Sequence, residues 1–228
     1  MRVLPCGDRA LLVELDSLAA VRAAYDRWSR EAPAGVDELV PAARTVLVRL
    51  DPAVLGIGAA ETWLRGHPPI TAGSAFGDDA RAAASAQVAT PVDIPVVIPV
   101  VYDGDDLAEV AAAWGCSVEA VVERHSRTTW VCAFIGFAPG FPYLVPVGDA
   151  LPTVPRRATS RPRVPAGSVA LAAEYCGIYP RSSPGGWQLI GSTDAVLWDA
   201  DRESPALVAP GARVLFEPQR AASTGSTR

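Results

Sequence analysis

Short apolar runs divided by proline and glycine fill the second half of the chain, and this pattern restricts the fold more than any other feature. The runs occupy residues 131–137, 167–172, 187–190, 195–198 and 213–217. Each run is shorter than an ordinary globular helix and is bounded by residues that favour turns, which is typical of β-strands. The second half is therefore predicted to form a β-barrel or a β-sandwich.

The first part of the chain has a different pattern, in which strands and helices alternate. Strands are predicted at residues 10–15, 36–40 and 45–50, and helices at 18–30 and 57–65. Ser17 directly precedes the first helix and is a favourable N-cap. The order strand, helix, strand, strand, helix indicates a ferredoxin-like α+β sandwich, for which residues 91–100 are the candidate last strand.

Two shorter helices are predicted at residues 107–114 and 118–125. Asp106 and Glu109 have the spacing of a capping box at the start of the first of them. Residues 68–90 are rich in Ala, Gly and Ser, which is typical of a flexible linker. We therefore expect a ferredoxin-like α/β domain over residues 1–90, a barrel domain over 91–218 and a disordered tail over 219–228.

The charged residues exclude several mechanisms. The formal net charge is -5, and all 20 basic residues are arginine. Without lysine there is no Walker-type phosphate lysine and no Schiff base, so arginine or backbone N–H groups must hold any anion. The helix pair has the spacing of a helix-turn-helix, but Glu119 and Glu123 on its second helix would face phosphates. A structural helical hairpin and no nucleic-acid partner are therefore favoured.

The chain has no apolar run near the ~20 residues of a membrane span, and residues 1–8 lack the pattern of a secretory signal. We expect a cytoplasmic protein with no membrane partner. The four cysteines form no Cys-x-x-Cys pair, and only two histidines accompany them. We therefore expect neither a metal site nor a disulfide framework.

Residues 136–144 combine prolines, glycines and three aromatic residues in one segment. Such a segment loses little conformational freedom when it becomes ordered. Two interpretations remain open. Phe141 and Tyr143 either form the wall of a binding pocket or plug the core at a stiff corner of the chain.

Arg156, Arg157, Arg161 and Arg163 lie within eight residues and are interrupted by proline. Guanidinium groups suit carboxylates and phosphates because they offer two parallel hydrogen bonds. Such a concentration of positive charge in an acidic chain favours an anion site over a solvated basic loop.

A glycine-rich turn follows further along the chain, formed by Pro184, Gly185 and Gly186 and continuing into Trp187 and Gln188. Adjacent glycines allow the backbone to approach a ligand, and their N–H groups can form an anion nest. The alternative is an ordinary hairpin turn, and the sequence does not decide between the two.

His125 ends the second short helix, where it either complements the helix dipole or serves as an imidazole base. Spacing alone leaves both roles open.

Several segments occur together in a recognisable order: residues 7–14, His125-Ser126, 136–144, 155–157, 164–169, Gly177 to Pro180 and Ser183 to Trp187. In this combination the chain resembles the KipI family, which comprises the B subunits of 5-oxoprolinase and is also called the C/D family of carboxyltransferase subunits. The resemblance spans about residues 3–217. It implies an N-terminal ferredoxin-like domain followed by a cyclophilin-like β-barrel.

The resemblance also implies an activity and partners. It implies an ATP-dependent cyclic amide hydrolase that opens 5-oxo-L-proline to L-glutamate, with ATP as co-substrate of the complex. The partners implied are a KipA-like subunit and a LamB/YcsF-like subunit, which are the C and A subunits of 5-oxoprolinase, and the chain is expected to be inactive alone. The alternatives are an inhibitor of a histidine kinase and a part of a urea or amide carboxyltransferase.

Within this hypothesis, His125 is the candidate proton-transfer residue. The candidate substrate- or anion-binding residues are Arg156, Arg157, Arg163, Phe141, Tyr143, Tyr179, Pro184, Gly185, Gly186, Trp187 and Gln188.

Overall fold

The structure is a computed structural model that describes residues 1–69 and 94–220. The chain divides into two compact units, Met1–Ala89 and Thr90–Arg228. Most of the predicted linker, from residue 70 onward, lies outside the described residues, as do residues 221–228 of the predicted tail.

The first unit contains a four-stranded antiparallel sheet and two helices. Its strands are β1 (Arg2–Pro5), β2 (Ala10–Glu14), β3 (Val36–Pro41) and β4 (Thr45–Leu50), and its helices are α1 (Leu18–Glu31) and α2 (Ile57–Gly66). The strand order in the sheet is β1-β2-β4-β3.

One face of this sheet and one stripe of each helix form the core of the first unit. Val46, Val48 and Leu50 alternate along β4 and are buried. Val21 and Trp28 lie on the buried stripe of α1, where their spacing of seven residues brings both to the same helix face. The period of two in the strand and the period near 3.6 in the helix therefore account for this layer.

The predicted last strand of the first unit, residues 91–100, is wrong. β1 pairs with β2 and occupies that edge of the sheet. The strand found in the predicted region, β5 (Val96–Val101), belongs to the barrel of the second unit. In the barrel, the alternating residues Ile98 and Val100 of this strand are buried, and both of its edges are paired with other barrel strands.

The second unit is a closed barrel of seven strands in the order β10-β7-β6-β13-β5-β12-β9. β13 runs parallel to β5, whereas the other barrel pairs are antiparallel. β8 and β11 form a separate two-stranded sheet. The strands are β6 (Trp130–Ile135), β7 (Pro142–Pro146), β8 (Arg161–Val164), β9 (Ser168–Ala172), β10 (Tyr175–Ile178), β11 (Ser183–Gly185), β12 (Gln188–Ser192) and β13 (Arg213–Gln219).

Two differences from the sequence prediction concern the ends of this unit. Residues 195–198 contain no strand, only a single bridge between Trp198 and Ala206. Gln219, which falls in the predicted disordered tail, is the last residue of β13 and pairs with Val101.

Two helices, α3 (Leu107–Trp114) and α4 (Val118–Arg127), form the predicted hairpin. Ser117 caps α4 by accepting a hydrogen bond from the Ala120 amide at 3.2 Å. Asp106 stands at the N-cap of α3 but its side chain makes no capping hydrogen bond, so the predicted capping box is wrong. Val121 and other buried residues of the hairpin belong to the barrel core. None of the helices described here is long and apolar enough to cross a membrane.

Candidate functional site

The arginine loop, which comprises residues 156–163, is anchored to a buried carboxylate. Asp106 is only 1% exposed, and its Oδ1 accepts hydrogen bonds from Arg157 Nη1 and, at 2.8 Å, from Arg161 Nη2. Its Oδ2 accepts the Leu189 backbone N–H at 2.7 Å, and the Asp106 N–H donates to the Leu189 carbonyl at 3.0 Å. One carboxylate therefore joins the start of α3, the arginine loop and β12.

A glycine permits this close contact with β12. A Cβ at Gly104 would lie 2.3 Å from the Leu189 carbonyl oxygen and 2.5 Å from the Ile190 nitrogen. Backbone cannot withdraw from such a contact without moving the strand, so only glycine fits at this position. Gly104 therefore allows the turn before α3 to bring Asp106 into the site.

The surroundings of Asp106 keep it ionised. Burial by itself would raise the pKa of the carboxyl group. The hydrogen bonds from Arg161 and from the Leu189 N–H, together with the charges of Arg161 and Arg157, outweigh burial and hold the pKa below its ordinary value. The same contacts raise the pKa of Arg161. Asp106 and Arg161 are therefore both charged at neutral pH.

The structure brings the predicted glycine-rich turn together with the predicted arginine loop. The Arg157 N–H donates to the Gly186 carbonyl at 2.8 Å. The Gln188 side-chain amide donates to the Pro155 carbonyl at 3.1 Å. Within residues 1–69 and 94–220, four buried polar atoms nearby have no hydrogen-bond partner: Arg157 Nε, Arg161 Nη1, Gln188 Oε1 and Ser183 Oγ.

The other two arginines of the loop point elsewhere. The Arg156 guanidinium lies over the Trp187 ring, 5.9 Å from its centroid, which is a cation–π contact. Burial raises the pKa of Tyr143 and of Tyr179, and the positive charge of Arg156 partly opposes this rise in both. Arg163 donates to Ser182 Oγ at 3.1 Å and is exposed. These contacts place Arg156 beside the aromatic cluster and Arg163 on the surface.

The aromatic residues predicted as a pocket wall are mostly packed inside the unit. Phe141, Tyr179 and Trp187 are buried, and Phe141 meets each of the other two rings edge to face at 5.1 and 5.3 Å. For Phe141 the structure favours the core-plug interpretation over the pocket wall. Tyr143 is half-buried and stacks on Phe134 at 4.4 Å, so only part of its surface is available to a ligand.

Phe137 is the ring of this segment that the chain presents to solvent. Its side chain is 62% exposed, and its φ of 64° lies in the left-handed region, which is rare for a bulky residue. The proline- and glycine-rich sequence predicted a rigid segment here, but it did not indicate which ring would be exposed.

His125 lies in the barrel interior and is 0% exposed. Its Nδ1 is 2.8 Å from Tyr102 Oη, its Nε2 is 3.3 Å from Cys176 Sγ, and its ring packs on Phe216 at 4.5 Å. Burial lowers its pKa to about 3. A group with no exposed surface and so low a pKa is poorly placed to exchange a proton with a substrate. The structure therefore argues against the predicted role of His125.

Sequence reasoning missed Asp106 as the organising residue of the site. The spacing of Asp106 and Glu109 indicated a helix cap, and this position also fits a carboxylate that faces inward. Only the partners of Asp106, which lie 51 and 55 residues away in sequence, distinguish the two possibilities. In the described part of the chain, no group of three or more His, Cys, Asp and Glu side chains is arranged to hold a metal ion.

The chain combines a separate α/β unit with a closed barrel, and the barrel unit carries an arginine loop bound to a buried carboxylate. This combination defines the class of the protein. Residues 1–208 match the sequence model of the family described as carboxyltransferase domain, subdomain C and D. Because the match covers most of the chain, the chain belongs to this family.

Two curated relatives are similar to about half of this chain. A protein of Escherichia coli O157:H7, named as the B subunit of 5-oxoprolinase, is 51% identical over 128 residues, which are 55% of this chain and 58% of that protein. A protein of the same name from Haemophilus influenzae is 45% identical over 124 residues, 53% of this chain and 58% of that protein. The chain thus spans a little over half the length of these curated relatives.

A solved structure shares the fold of the described units. The crystal structure of TTHA0988 superposes with a TM-score of 0.70 at 33% identity. The superposition covers 96% of this chain and 42% of that chain. The same fold therefore also occurs as part of a longer polypeptide.

Proposed function

We propose that the chain is the B subunit of an ATP-dependent 5-oxoprolinase, which opens the cyclic amide of 5-oxo-L-proline to give L-glutamate. The observation that carries the proposal is the 51% identity to a protein named as the B subunit of that enzyme. The arginine loop supports it, since the substrate is an anion and guanidinium groups suit carboxylates.

The name of these relatives implies further chains, and we propose a hetero-oligomer with a KipA-like subunit and a LamB/YcsF-like subunit. ATP is assigned to the complex as co-substrate. The ferredoxin-like description of the first unit, the cyclophilin-like description of the barrel and the cytoplasmic location stay predictions. The sheet order β1-β2-β4-β3 supports a ferredoxin-like first unit, because β1 takes the edge position that the last strand of a ferredoxin-like fold would occupy.

Reconstitution tests the proposal. The full chain would be assayed for glutamate release from 5-oxo-L-proline and ATP, alone, with each of the two partners and with both. We expect turnover only in the complete mixture, because the chain lacks a P-loop and any lysine. Equal turnover by the chain alone would refute the subunit role. No turnover in a complete, assembled mixture would refute the activity.

A second candidate is a part of a urea or amide carboxyltransferase, which the description of the matching family favours. The same preparations distinguish the two functions. A carboxyltransferase requires bicarbonate and a biotin-carrying partner, whereas the hydrolase requires neither. Dependence of turnover on both would favour the second candidate.

A further inference from the structure

Asp106 is the buried carboxylate between two arginines. Two guanidinium groups share a single oxygen of Asp106, and the side chains of Arg157 and Arg161 are 35% and 17% exposed. Asp105 also lies 3.8 Å from Arg161, and the charge of Glu109 acts on Arg161 as well. Both of these carboxylates are exposed, so solvent and salt screen them strongly. Asp106 is therefore the buried carboxylate on which both arginines depend.

The hydrogen-bond donors of the same pair are also only partly used. Arg157 and Arg161 each give one nitrogen to Asp106, while Arg157 Nε and Arg161 Nη1 are buried without a partner among the described residues. Two planar guanidinium groups with free N–H edges suit a second planar anion. Because Asp106 already fixes both side chains, such an anion would bind with little further loss of rotamer freedom.

Gln188 adds an acceptor to these donors. Its Nε2 donates to the Pro155 carbonyl, which orients the side-chain amide, and its Oε1 is buried without a donor among the residues described. Gln188 is also next to Leu189, whose N–H binds the other oxygen of Asp106. A ligand that suits this region thus has a carboxylate, which would accept hydrogen bonds from the arginines, and an N–H group, which would donate to Gln188 Oε1.

We propose that Arg157 and Arg161 bind the carboxylate of a small cyclic-amide acid, that Gln188 Oε1 accepts its ring N–H, and that Asp106 is the positioning residue of the pair. The identification of the acid as 5-oxo-L-proline rests on the proposed function. A triphosphate fits poorly, because it brings several negative charges to two arginines that already share Asp106 and have Asp105 and Glu109 nearby.

Calorimetry on the full chain, by itself and in the complete complex, tests the proposal with four probes. 5-oxo-L-proline carries both the carboxylate and the N–H, cyclopentanecarboxylate lacks the N–H, 2-pyrrolidinone lacks the carboxylate, and ATP represents the nucleotide. We expect 5-oxo-L-proline to bind most tightly and cyclopentanecarboxylate more weakly. Binding of 2-pyrrolidinone and of ATP should not depend on Arg157.

Three variants separate the roles of the side chains, each checked for folding by thermal melting. Arg157→Lys should weaken 5-oxo-L-proline binding roughly ten- to a hundredfold, because a charge-assisted fork is replaced by a point charge. Gln188→Met should weaken 5-oxo-L-proline but leave cyclopentanecarboxylate unchanged. Arg202→Lys is the matched control, since Arg202 binds the Val196 carbonyl and Asp199 instead, and it should change nothing.

The outcomes also separate this site from the proposed enzyme activity. Arg157-dependent binding of small carboxylates by a complex that does not hydrolyse 5-oxo-L-proline would support the site while refuting the activity. Arg157-dependent binding of ATP that displaces 5-oxo-L-proline would overturn the proposed ligand. Failure of every probe to bind both the chain and the complex would overturn the site.

Discussion

The buried histidine makes the barrel sensitive to mild acid. His125 is fully buried, its Nδ1 pairs with Tyr102, its Nε2 faces Cys176, and its ring packs against those of Trp130 and Phe216. Because charging the imidazole there means removing a cation from water, burial lowers its pKa from 6.5 to about 3. The folded chain therefore keeps His125 neutral at pH values where the unfolded chain protonates it.

The difference in the pKa of His125 between the folded and unfolded states fixes the sign and the size of the change in stability with pH. Between pH 6.5 and about 3, the unfolded state binds one more proton than the folded state, so the free energy of unfolding falls as the pH falls. Each pH unit is worth about 1.4 kcal/mol once the unfolded histidine is protonated. The expected loss attributable to His125 is about 2 kcal/mol between pH 7 and pH 5. At pH 5 the folded imidazole is still neutral, so this loss depends mainly on the ordinary pKa of histidine.

Urea unfolding of the full chain at pH 7, 6 and 5 measures the effect, and two variants isolate it. His125→Gln and His125→Phe both remove the titrating group, one keeping polarity and the other keeping the ring. Whatever their stability at pH 7, both should lose about 2 kcal/mol less than the parent on going to pH 5. His67→Gln removes the other histidine as a control.

Equal losses of stability by the parent and both His125 variants between pH 7 and pH 5 would exclude His125 as the source of the acid sensitivity. An equal flattening of the pH dependence by His67→Gln would also contradict the assignment to His125.

Other predictions concern the contacts that shape the site. Asp106→Asn should destabilise the chain by about 3 kcal/mol at pH 7, since both arginines lose their counter-charge. In thermal melts this difference from the parent should shrink as the pH falls below 3.8, because the lowered pKa of Asp106 means that its contribution is lost on protonation. Gly185→Ala should cost about 1–3 kcal/mol in urea unfolding, because its Cβ would lie 2.3 Å from Tyr179 Oη. Gly58→Ala, in open space on α2, should leave stability unchanged or slightly raised, and an equal loss there would contradict the steric argument.

The sequence by itself determined the elements whose signals are local. The strand predicted at residues 45–50 is β4, and the helix predicted at 107–114 is α3. Ser17 caps α1 as its position indicates. Side-chain periodicity and capping depend on residues within one or two turns, so they can be predicted without knowing the rest of the fold. The concentration of arginine between residues 156 and 163 was likewise evident from sequence.

Only the tertiary structure decided which of these residues meet. The local pattern of β5 suits a strand in either unit, and its parallel pairing with β13, more than 100 residues later, settles its place. The inward turn of Asp106 depends on arginines 51 and 55 residues away. His125 had two plausible local roles, and the closure of the barrel around it favoured neither. Each of these outcomes depends on contacts between distant segments, and composition and spacing along the chain carry no record of such contacts.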